Sequence, residues 1–307
     1  MIIQCTQCKT CFNIDPLLLE RPKLRLRCSN CKHIFSFDQH TQTEAYQNRS
    51  QNNQITLGHI ITFCNQKGGV AKTTSCLNIG IALSRLKYRV LCIDFDPQAN
   101  LSLLVGHNTN AGSFYDAIIS NGNLLQFTHK MPVGVWLLPS NQRMNLFPKY
   151  SLQTKNSEQL LYKTIQPLRK QFDFILIDTP PSLKFFTLNA LIASDCVVIT
   201  TQCAYLAMHG VEQIERVIDK IRVRLGKPKA SKLLLTLYDP NSTAMQAVKG
   251  TLEQRYPKQI ISPAIPFDTA IPEAQILRTA ILDHAPQSAA SQTYLTVAKK
   301  LVAEYCQ

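Results

Sequence analysis

The residues best suited to chemistry lie in one short stretch, residues 63–74, with the sequence FCNQKGGVAKTT. An apolar run precedes this stretch and a helical pattern follows it, which is the order of strand, loop and helix that a phosphate-binding site requires. Small residues let backbone N–H groups turn toward phosphate oxygens, and the helix N-terminus adds partial positive charge. The pattern therefore predicts that Lys72 contacts the β- and γ-phosphates of a nucleotide and that the Thr73 hydroxyl completes a Mg²⁺ shell.

The strict phosphate-loop pattern, G-x-x-x-x-G-K-[ST], fails at both glycine positions, because Gln66 and Ala71 stand there. The remaining pattern is KGGxxKTT, with an additional lysine, Lys67, at its head. A methyl group at Ala71 could weaken nucleotide binding in a crowded loop, or a small backbone shift could accommodate it. The residues of this loop that we expect to bind the nucleotide are Lys67, Gly68, Gly69, Val70, Ala71, Lys72, Thr73 and Thr74.

Two acidic segments follow the loop in the order that such a site requires. The buried-strand pattern RVLCID is followed by FDPQANL, which contains Asp96 two residues after Asp94. Aspartate is a poor strand former, so two aspartates where a strand ends indicate the edge of a site. The second segment, FDFILIDTPP, ends a strand on Asp178, whose carboxylate we expect to hold Mg²⁺ directly or through water.

Together these motifs resemble those of the ParA/Soj family of partition ATPases, within the larger group that contains MinD and the nitrogenase iron protein. The loop resembles the family's deviant Walker A motif, and the acidic segments resemble its DxDPQxN and IIDTPP elements. The resemblance implies ATP as the nucleotide, Asp96 as the group that orients the attacking water, and Lys67 as a side chain that crosses a dimer interface to the partner's nucleotide. It also implies that Pro266 and Asp268 border the adenine, although Asp268 stands where asparagine is common.

Four cysteines near the N-terminus have the spacing of metal ligands. Cys5 and Cys8 form one CxxC pair, and Cys28 and Cys31 form a second. Each pair places two thiolates on a tight turn, and two such turns complete a tetrahedron around Zn²⁺. Disulfides are the alternative, but a cytosolic ATPase attached to this segment disfavours them. The segment resembles a short zinc ribbon found at the N-terminus of some bacterial proteins, and a unit of this size needs the metal to fold.

The remaining sequence indicates an α/β fold. Predicted strands and helices alternate beyond the linker, which is typical of a doubly wound, mostly parallel sheet of the P-loop NTPase kind. One of these helices is predicted over residues 157–171 and a longer one over residues 206–225. The segment before the sheet is polar and rich in glutamine and asparagine, as flexible linkers are. The predicted organisation is a zinc ribbon at residues 1–38, a linker at 39–57 and a ParA-like ATPase domain at 58–307.

Charge suggests a polyanionic partner. The chain of 307 residues carries 33 lysines and arginines against 20 aspartates and glutamates, a net charge of +13. Arg216, Lys220 and Arg224 recur at intervals of four residues and would share one side of the long helix. Such a stripe fits non-specific binding to DNA phosphates. The alternative is a solvated helix face whose charge serves solubility.

The leading hypothesis is an ATP-dependent dimerising ATPase with non-specific DNA binding that segregates or positions a chromosome, plasmid or other cargo. By the same resemblance, ATP turnover is slow and is stimulated by a centromere-binding, ParB-like partner. No apolar run long enough to span a membrane and no secretion signal occurs, so we expect a cytoplasmic, nucleoid-associated protein without stable membrane association. Two alternatives remain: a MinD-like positioning ATPase that binds membranes through its C-terminal helix, and a zinc-ribbon adaptor with weak ATPase activity.

Overall fold

A computed structural model describes the chain in two compact units, Met1–Ile55 and Thr56–Gln307. Each unit is considered by itself. The residues that the structure describes are 2–4, 11–13, 24–28, 31–37, 57–109, 112–120, 122–152 and 155–305.

The N-terminal unit contains two short antiparallel strand pairs. Strand β1 (Ile2–Gln4) pairs with β2 (Cys11–Asn13), and β3 (Leu24–Arg27) pairs with β4 (Ile34–Phe37). A turn that carries Cys28 and Cys31 joins β3 to β4. The predicted ligands Cys5 and Cys8 and residues 39–56 of the predicted linker lie outside the described residues.

The second unit is built on one eight-stranded sheet. Its strands are parallel except at the β7 edge, where β7 runs antiparallel to β8. The central strands are almost fully buried, as expected where helices cover both faces of a parallel sheet. The order across the sheet is β12-β11-β10-β5-β9-β6-β8-β7, with β5 at His59–Cys64, β6 at Val90–Asp94, β7 at His129–Lys130, β8 at Trp136–Leu138, β9 at Phe174–Asp178, β10 at Cys196–Gln202, β11 at Ala230–Thr236 and β12 at Ile260–Ile261.

Eleven α-helices occur among the described residues of this unit. They are α1 (Lys72–Arg85), α2 (Asn100–Leu104), α3 (Phe114–Ile119), α4 (Phe147–Ser151), α5 (Leu160–Ile165), α6 (Phe185–Ala193), α7 (Ala207–Leu225), α8 (Thr243–Arg255), α9 (Ala270–Ile276), α10 (Ile281–His284) and α11 (Ala289–Tyr305). None of the helices in the described part of the chain has the length and apolar character needed to cross a membrane.

The two faces of the sheet bury different helices. Successive strand side chains point to opposite faces, so Ile61 and Phe63 of β5 join an apolar cluster with α1 and α11. Ile60 joins a second cluster with α5 and α6. This arrangement confirms the predicted α/β class with a doubly wound, mostly parallel sheet. It also brings the strand ends that carry the acidic motifs to the edge where α1 begins.

The prediction of a single helix over residues 157–171 is wrong. Only α5 within this segment is α-helical, and 3₁₀ turns at Ser157–Gln159 and Gln166–Lys170 flank it. Pro167 lies at the start of the second turn. Because proline has no N–H group and its ring clashes with the preceding helical turn, the α-helix ends there.

Candidate nucleotide-binding site

The phosphate loop joins β5 to α1 at the carboxyl edge of the sheet. Gly69 and Ala71 have left-handed backbone conformations, with φ of 71° and 58°. Lys72 begins α1, and its Nζ donates a hydrogen bond to the Lys67 carbonyl oxygen at 2.9 Å. Burial lowers the pKa of Lys72, whereas the nearby Asp178 carboxylate acts in the opposite direction. The ammonium group therefore lies inside the loop, where phosphate oxygens could replace the carbonyl as its partner.

The side chains expected to bind Mg²⁺ are in direct contact. Thr73 Oγ1 donates a hydrogen bond to Asp178 Oδ2 at 2.7 Å. The other carboxylate oxygen, Asp178 Oδ1, is buried and has no hydrogen-bond partner among the described residues. Burial raises the pKa of Asp178 well above its usual value, and the neighbouring Asp94 adds to that effect. A divalent cation would bind the unpartnered oxygen and favour the ionised carboxylate, so these two residues fit Mg²⁺.

Asp94, which ends β6, and Asp96, which follows it, have different surroundings. Asp94 is fully buried, and its Oδ2 accepts hydrogen bonds from Ser102 N at 2.8 Å and Ser102 Oγ at 2.7 Å. Burial raises the pKa of Asp94 to about 7. Asp96 lines the cleft next to the loop, and its Oδ1 accepts a hydrogen bond from Gln98 N at 2.9 Å. Asp94 thus stabilises the loop after β6, while Asp96 is the carboxylate that a bound nucleotide or water could reach.

Ser102 and Ser140 stabilise this loop, and no motif in the sequence marks either of them as part of the site. Ser140 N donates a hydrogen bond to Ser102 Oγ at 3.1 Å, and Ser140 Oγ donates one to the Asp96 carbonyl oxygen at 2.6 Å. The serines become neighbours because β8, which precedes Ser140, lies beside β6 in the sheet. In the sequence, Ser140 is only a small polar residue just beyond a predicted strand, and Ser102 belongs to no motif.

A cleft of about 630 Å³ opens beside the N-terminus of α1. This volume falls within the usual range of small-molecule sites. Asp96 and Asn100 give one side a polar lining, and Leu103, Ile265 and Phe267 give another part an apolar lining. Of the predicted loop residues, those that line the cleft are Gly68, Gly69, Ala71, Lys72, Thr73 and Thr74.

Of the two residues expected to border the adenine, Asp268 lines the cleft and Pro266 does not. Asp268 lines the cleft, but its carboxylate accepts hydrogen bonds from Ala270 N at 2.9 Å and Ala290 N at 3.1 Å. It therefore connects the starts of α9 and α11. Pro266 is not among the lining residues, whereas Phe267 beside it is. An adenine contact by Pro266 stays a prediction.

Lys67 and Val70 line a second, smaller hollow of about 340 Å³, and neither residue lines the nucleotide cleft. The Lys67 side chain is exposed, and its Nζ donates to Gln202 Oε1 at 3.4 Å. Gln202 Nε2 in turn donates to the Gly69 carbonyl oxygen at 3.1 Å. Lys67 is thus directed away from its own cleft, although its backbone carbonyl is bonded to Lys72.

The basic stripe of α7 lies on the side of the helix away from the sheet. Arg216, Lys220 and Arg224 are exposed, and the buried residues of the helix are Val211, Ile214 and Ile218. Arg216 approaches Glu212 at 3.8 Å and Arg224 approaches Glu158 at 4.0 Å. Pairs this long and this exposed contribute little free energy, so the three cations remain available to a ligand.

The described half of the predicted zinc site has the geometry of a metal-binding turn. Cys28 is buried, and its Sγ accepts a hydrogen bond from the backbone N–H of Cys31 at 3.5 Å. Lys32 closes the turn with a left-handed φ of 61°, and its N–H donates to the Cys28 carbonyl oxygen at 3.0 Å. Cys28 and Cys31 thus lie close together at one tight turn, as the two ligands of a CxxC pair do around Zn²⁺. The residues present therefore fit the ion.

Comparisons with known proteins agree with both units. A family described as an AAA domain matches residues 58–231, and a zinc-ribbon domain matches residues 1–36. An uncharacterized protein of Pseudomonas putida is 36% identical over 250 residues, which span 80% of this chain and 95% of that protein. The chromosome partitioning protein ParA of Myxococcus xanthus is 29% identical over 258 residues, which span 83% of this chain and 91% of that protein.

A solved structure has the same fold. The crystal structure of cobyrinic acid a,c-diamide synthase from Mycobacterium smegmatis with bound ADP and magnesium superposes with a TM-score of 0.71 at 29% identity. The superposition covers 82% of this chain and 96% of that one. The ligands of that structure are a nucleotide and the cation that Thr73 and Asp178 fit here.

Proposed function

The chain belongs to the ParA/MinD-type P-loop ATPases, and from that membership we propose an ATP-dependent dimerising ATPase with non-specific DNA binding that positions a cargo. One observation carries the proposal. Lys72, Asp96 and the contact between Thr73 and Asp178 meet at one cleft beside the N-terminus of α1. Phosphate charge, a divalent cation and an attacking water each have a matching group there.

The proposed roles follow from the positions of these groups. Lys72 binds the β- and γ-phosphates, because its ammonium group already lies inside the loop. Thr73 Oγ1 and Asp178 hold Mg²⁺, which supplies charge neutralisation on the phosphates when bound. Asp96 orients the attacking water, since its carboxylate lines the cleft and Ser140 fixes its backbone. Gly68, Gly69, Val70, Ala71 and Thr74 complete the loop.

Dimerisation and DNA binding are the finer parts of the proposal. The exposed Lys67, directed away from its own cleft, is available to a second subunit's nucleotide. The exposed stripe of Arg216, Lys220 and Arg224 supports binding to DNA phosphates without base recognition. The partition role in the name of the Myxococcus relative supports a chromosome as the cargo. A plasmid cargo and a ParB-like partner that stimulates turnover belong to the proposal through the family resemblance of the motifs. We place the protein in the cytoplasm at the nucleoid.

Zn²⁺ is proposed as a structural ion of the N-terminal unit. Cys28 and Cys31 would supply two thiolates from the turn between β3 and β4. Cys5 and Cys8 would supply the other two. The ion would hold together a unit too small to bury a sufficient apolar core.

The two alternatives have less support. A MinD-like protein needs an apolar helix face free for lipid, but α11 buries Tyr294, Val297 and Leu301 against the same cluster as α1. An adaptor with a vestigial ATPase would not need the contact between Thr73 and Asp178 or the carboxylate of Asp96 in the cleft. We therefore favour the DNA-binding ATPase.

The deciding experiment measures ATP turnover and DNA binding together in the wild type, Lys72→Ala and Asp96→Ala. Wild type should hydrolyse ATP slowly and bind duplex DNA with ATP but not with ADP. Lys72→Ala should lose both properties, because it cannot hold the phosphates. Asp96→Ala should lose turnover by about a hundredfold, as expected for a group that activates water, and should keep ATP-dependent DNA binding.

Two outcomes would contradict the proposal. Turnover by Asp96→Ala at the wild-type rate would remove that carboxylate from the mechanism. No measurable affinity of wild type for ATP in the presence of Mg²⁺ would favour the adaptor instead.

A further inference from the structure

Arg278 occupies a backbone conformation that normally belongs to glycine. It follows α9 with a left-handed φ of 50°. Its N–H donates to the Gln275 carbonyl oxygen at 3.1 Å, and Thr279 N donates to the Ala274 carbonyl oxygen at 3.0 Å. This pair of hydrogen bonds is the usual C-terminal helix cap in which glycine is strongly preferred, because a Cβ atom there is crowded. The chain therefore bears a conformational cost that glycine would remove.

Arg278 also differs from the other arginines of this unit. Of the nine arginines described between residues 57 and 305, eight lie within 4.0 Å of a carboxylate oxygen. Arg278 has no such ion pair and no side-chain hydrogen bond within the described part of the chain. An internal electrostatic role thus does not account for its place at a strained position. Strained residues that the fold does not require are concentrated at binding sites.

The Arg278 side chain lines the cleft beside the end of α2. Its Cδ lies 3.3 Å from the point that a Cβ atom on Gly106 would occupy, so it passes directly over that glycine. Gly106 follows α2, whose Leu103 lines the cleft from one side. Phe267 lines it from the segment that leads into α9. Arg278 thus lines the same cleft as these apolar side chains and contacts the chain just after α2, whereas Lys72 lies in the phosphate loop.

We propose that Arg278 binds the purine base of the nucleotide, with its planar guanidinium stacked on the face of the ring. This inference rests on the proposed nucleotide-binding function and adds a residue to its site. Apolar walls suit a flat heterocycle rather than a phosphate, and a guanidinium gains from contact with an aromatic face. Arg278 is a binding residue and takes no part in the chemical step.

Lys87 provides a matched control. Among the described residues of this unit, Lys87 is the other basic residue with a left-handed φ. Its φ is 70°, and it follows the last turn of α1. Lys87 N donates to the Ser84 carbonyl oxygen at 2.9 Å, and Tyr88 N donates to the Leu83 carbonyl oxygen at 3.2 Å, the same pair of bonds. Lys87 does not line the cleft. Lys87→Gly and Arg278→Gly therefore relieve the same strain, but only Arg278→Gly removes a side chain from the cleft.

The test compares the full-length wild type, Arg278→Gly and Lys87→Gly by thermal unfolding without nucleotide and by calorimetric titration with Mg²⁺ and either ATP or tripolyphosphate. Both variants should unfold at or above the wild-type temperature. Arg278→Gly should bind ATP about tenfold more weakly, which corresponds to about 1.4 kcal/mol, and should bind tripolyphosphate as wild type does. Lys87→Gly should bind both ligands as wild type does.

Three results would overturn the inference. The first is wild-type affinity for ATP in Arg278→Gly. The second is an equal loss for ATP and tripolyphosphate, because the contact would then be to phosphate. The third is an equal loss in Lys87→Gly, because the effect would then come from the helix cap. Failure of the wild type itself to bind ATP would instead remove the proposed function, and this inference with it.

Discussion

Ala71 is the residue at which the phosphate loop departs from glycine, and its backbone is left-handed, with φ 58° and ψ 33°. An L-residue is crowded in this conformation, whereas glycine is not. We expect Ala71→Gly to raise the free energy of unfolding, by up to roughly 1 kcal/mol after the greater freedom of glycine in the unfolded chain is counted. Urea denaturation without nucleotide measures the change, and ATP affinity should be retained.

Ala82, in the regular part of α1, is the control for Ala71. Glycine there should lower the free energy of unfolding by about 1 kcal/mol or more, because a helix interior disfavours glycine. If Ala71→Gly also lowers stability, the loop has adapted to the methyl group and alanine is not a source of strain.

Asp94 makes the stability of the nucleotide-free protein depend on pH. Its pKa is raised to about 7 by burial, whereas an unfolded aspartate titrates near 4. The folded state therefore favours the neutral carboxyl. The contribution of Asp94 to the free energy of unfolding is fully present below about pH 4 and is lost as the pH rises toward 7. The free energy of unfolding should fall by up to roughly 1.4 kcal/mol per pH unit over that window on account of Asp94.

Asp94→Asn tests this expectation, because asparagine keeps an oxygen acceptor for Ser102 and does not titrate. Urea denaturation at pH 5, 6 and 7, with a chelator present to exclude Mg²⁺, should show a smaller decrease in stability for the variant than for the wild type. Parallel pH profiles for the two proteins would mean that Asp94 is ionised throughout this range.

The positions of the candidate site residues that belong to local motifs could be predicted from the sequence, whereas their roles stay predictions. Lys72, Thr73 and Asp178 are predictable because each stands at a fixed place beside a strand or a helix start, and such patterns are local. Ser140 and Arg278 were not predictable. Ser140 reaches the Asp96 loop only because β8 lies beside β6, and Arg278 reaches the cleft through an unexpected left-handed turn after α9. Contacts of this kind depend on the order of strands in the sheet and on the backbone conformation at helix ends, and local sequence patterns determine neither.

Among the elements, α7 carries the prediction about DNA. Substitution of Arg216, Lys220 and Arg224 by glutamate should abolish DNA binding, because attraction to phosphates becomes repulsion. Dimerisation and basal ATP hydrolysis should persist, since these exposed side chains lie outside the cleft. In wild type, log affinity should fall linearly with log salt concentration, with a slope near −0.9 for each phosphate contacted. A gel-shift series at several salt concentrations measures both effects.

A chain beginning at Thr56 serves as the control for α7. If that chain loses all DNA affinity while the triple glutamate variant of the full chain keeps it, the N-terminal unit binds the DNA and the α7 stripe is a solvated face. The N-terminal unit also carries an exposed basic residue, Arg27. Comparing the shorter chain with the triple glutamate variant therefore shows which of the two surfaces binds DNA.

Element type was predictable where burial is continuous, as in the FILID run of β9. Parallel strands covered on both faces need such runs, so the sequence pattern and the packing agree. The segment from 157 to 171 shows the opposite case. Its apolar periodicity favours one helix, but Pro167 divides it. The local covalent constraint of proline outweighs the pattern, and the sequence already contained the residue that decides the matter.

For the whole molecule, the division into Met1–Ile55 and Thr56–Gln307 leads to a prediction about zinc. A zinc chelator should make the N-terminal unit sensitive to protease, because so small a unit depends on its metal. The thermal transition of the larger unit should not change, because the buried residues of its apolar clusters all belong to that unit. Zinc content by atomic absorption and limited proteolysis with and without the chelator measure these effects.

The chain beginning at Thr56 supplies the control for this experiment as well. It should contain no zinc and should give the same digestion pattern with and without chelator. Chelator-induced loss of ATP turnover in that shorter chain, at saturating Mg²⁺, would show that a metal other than the proposed ribbon ion supports the ATPase unit.

The nucleotide cleft also bears on how the protein is made. Its lining extends from Gly68 to Tyr294, and the Tyr294 hydroxyl lies 3.4 Å from Ser75 Oγ in the first turns of α1. When all three phosphate-site motifs have been translated, α11, the helix that packs against α1, has not yet been synthesised. Because chains fold from the N-terminus as they emerge, a nascent chain can present its ATP motifs without a complete cleft. Nucleotide loading then becomes an event that follows translation.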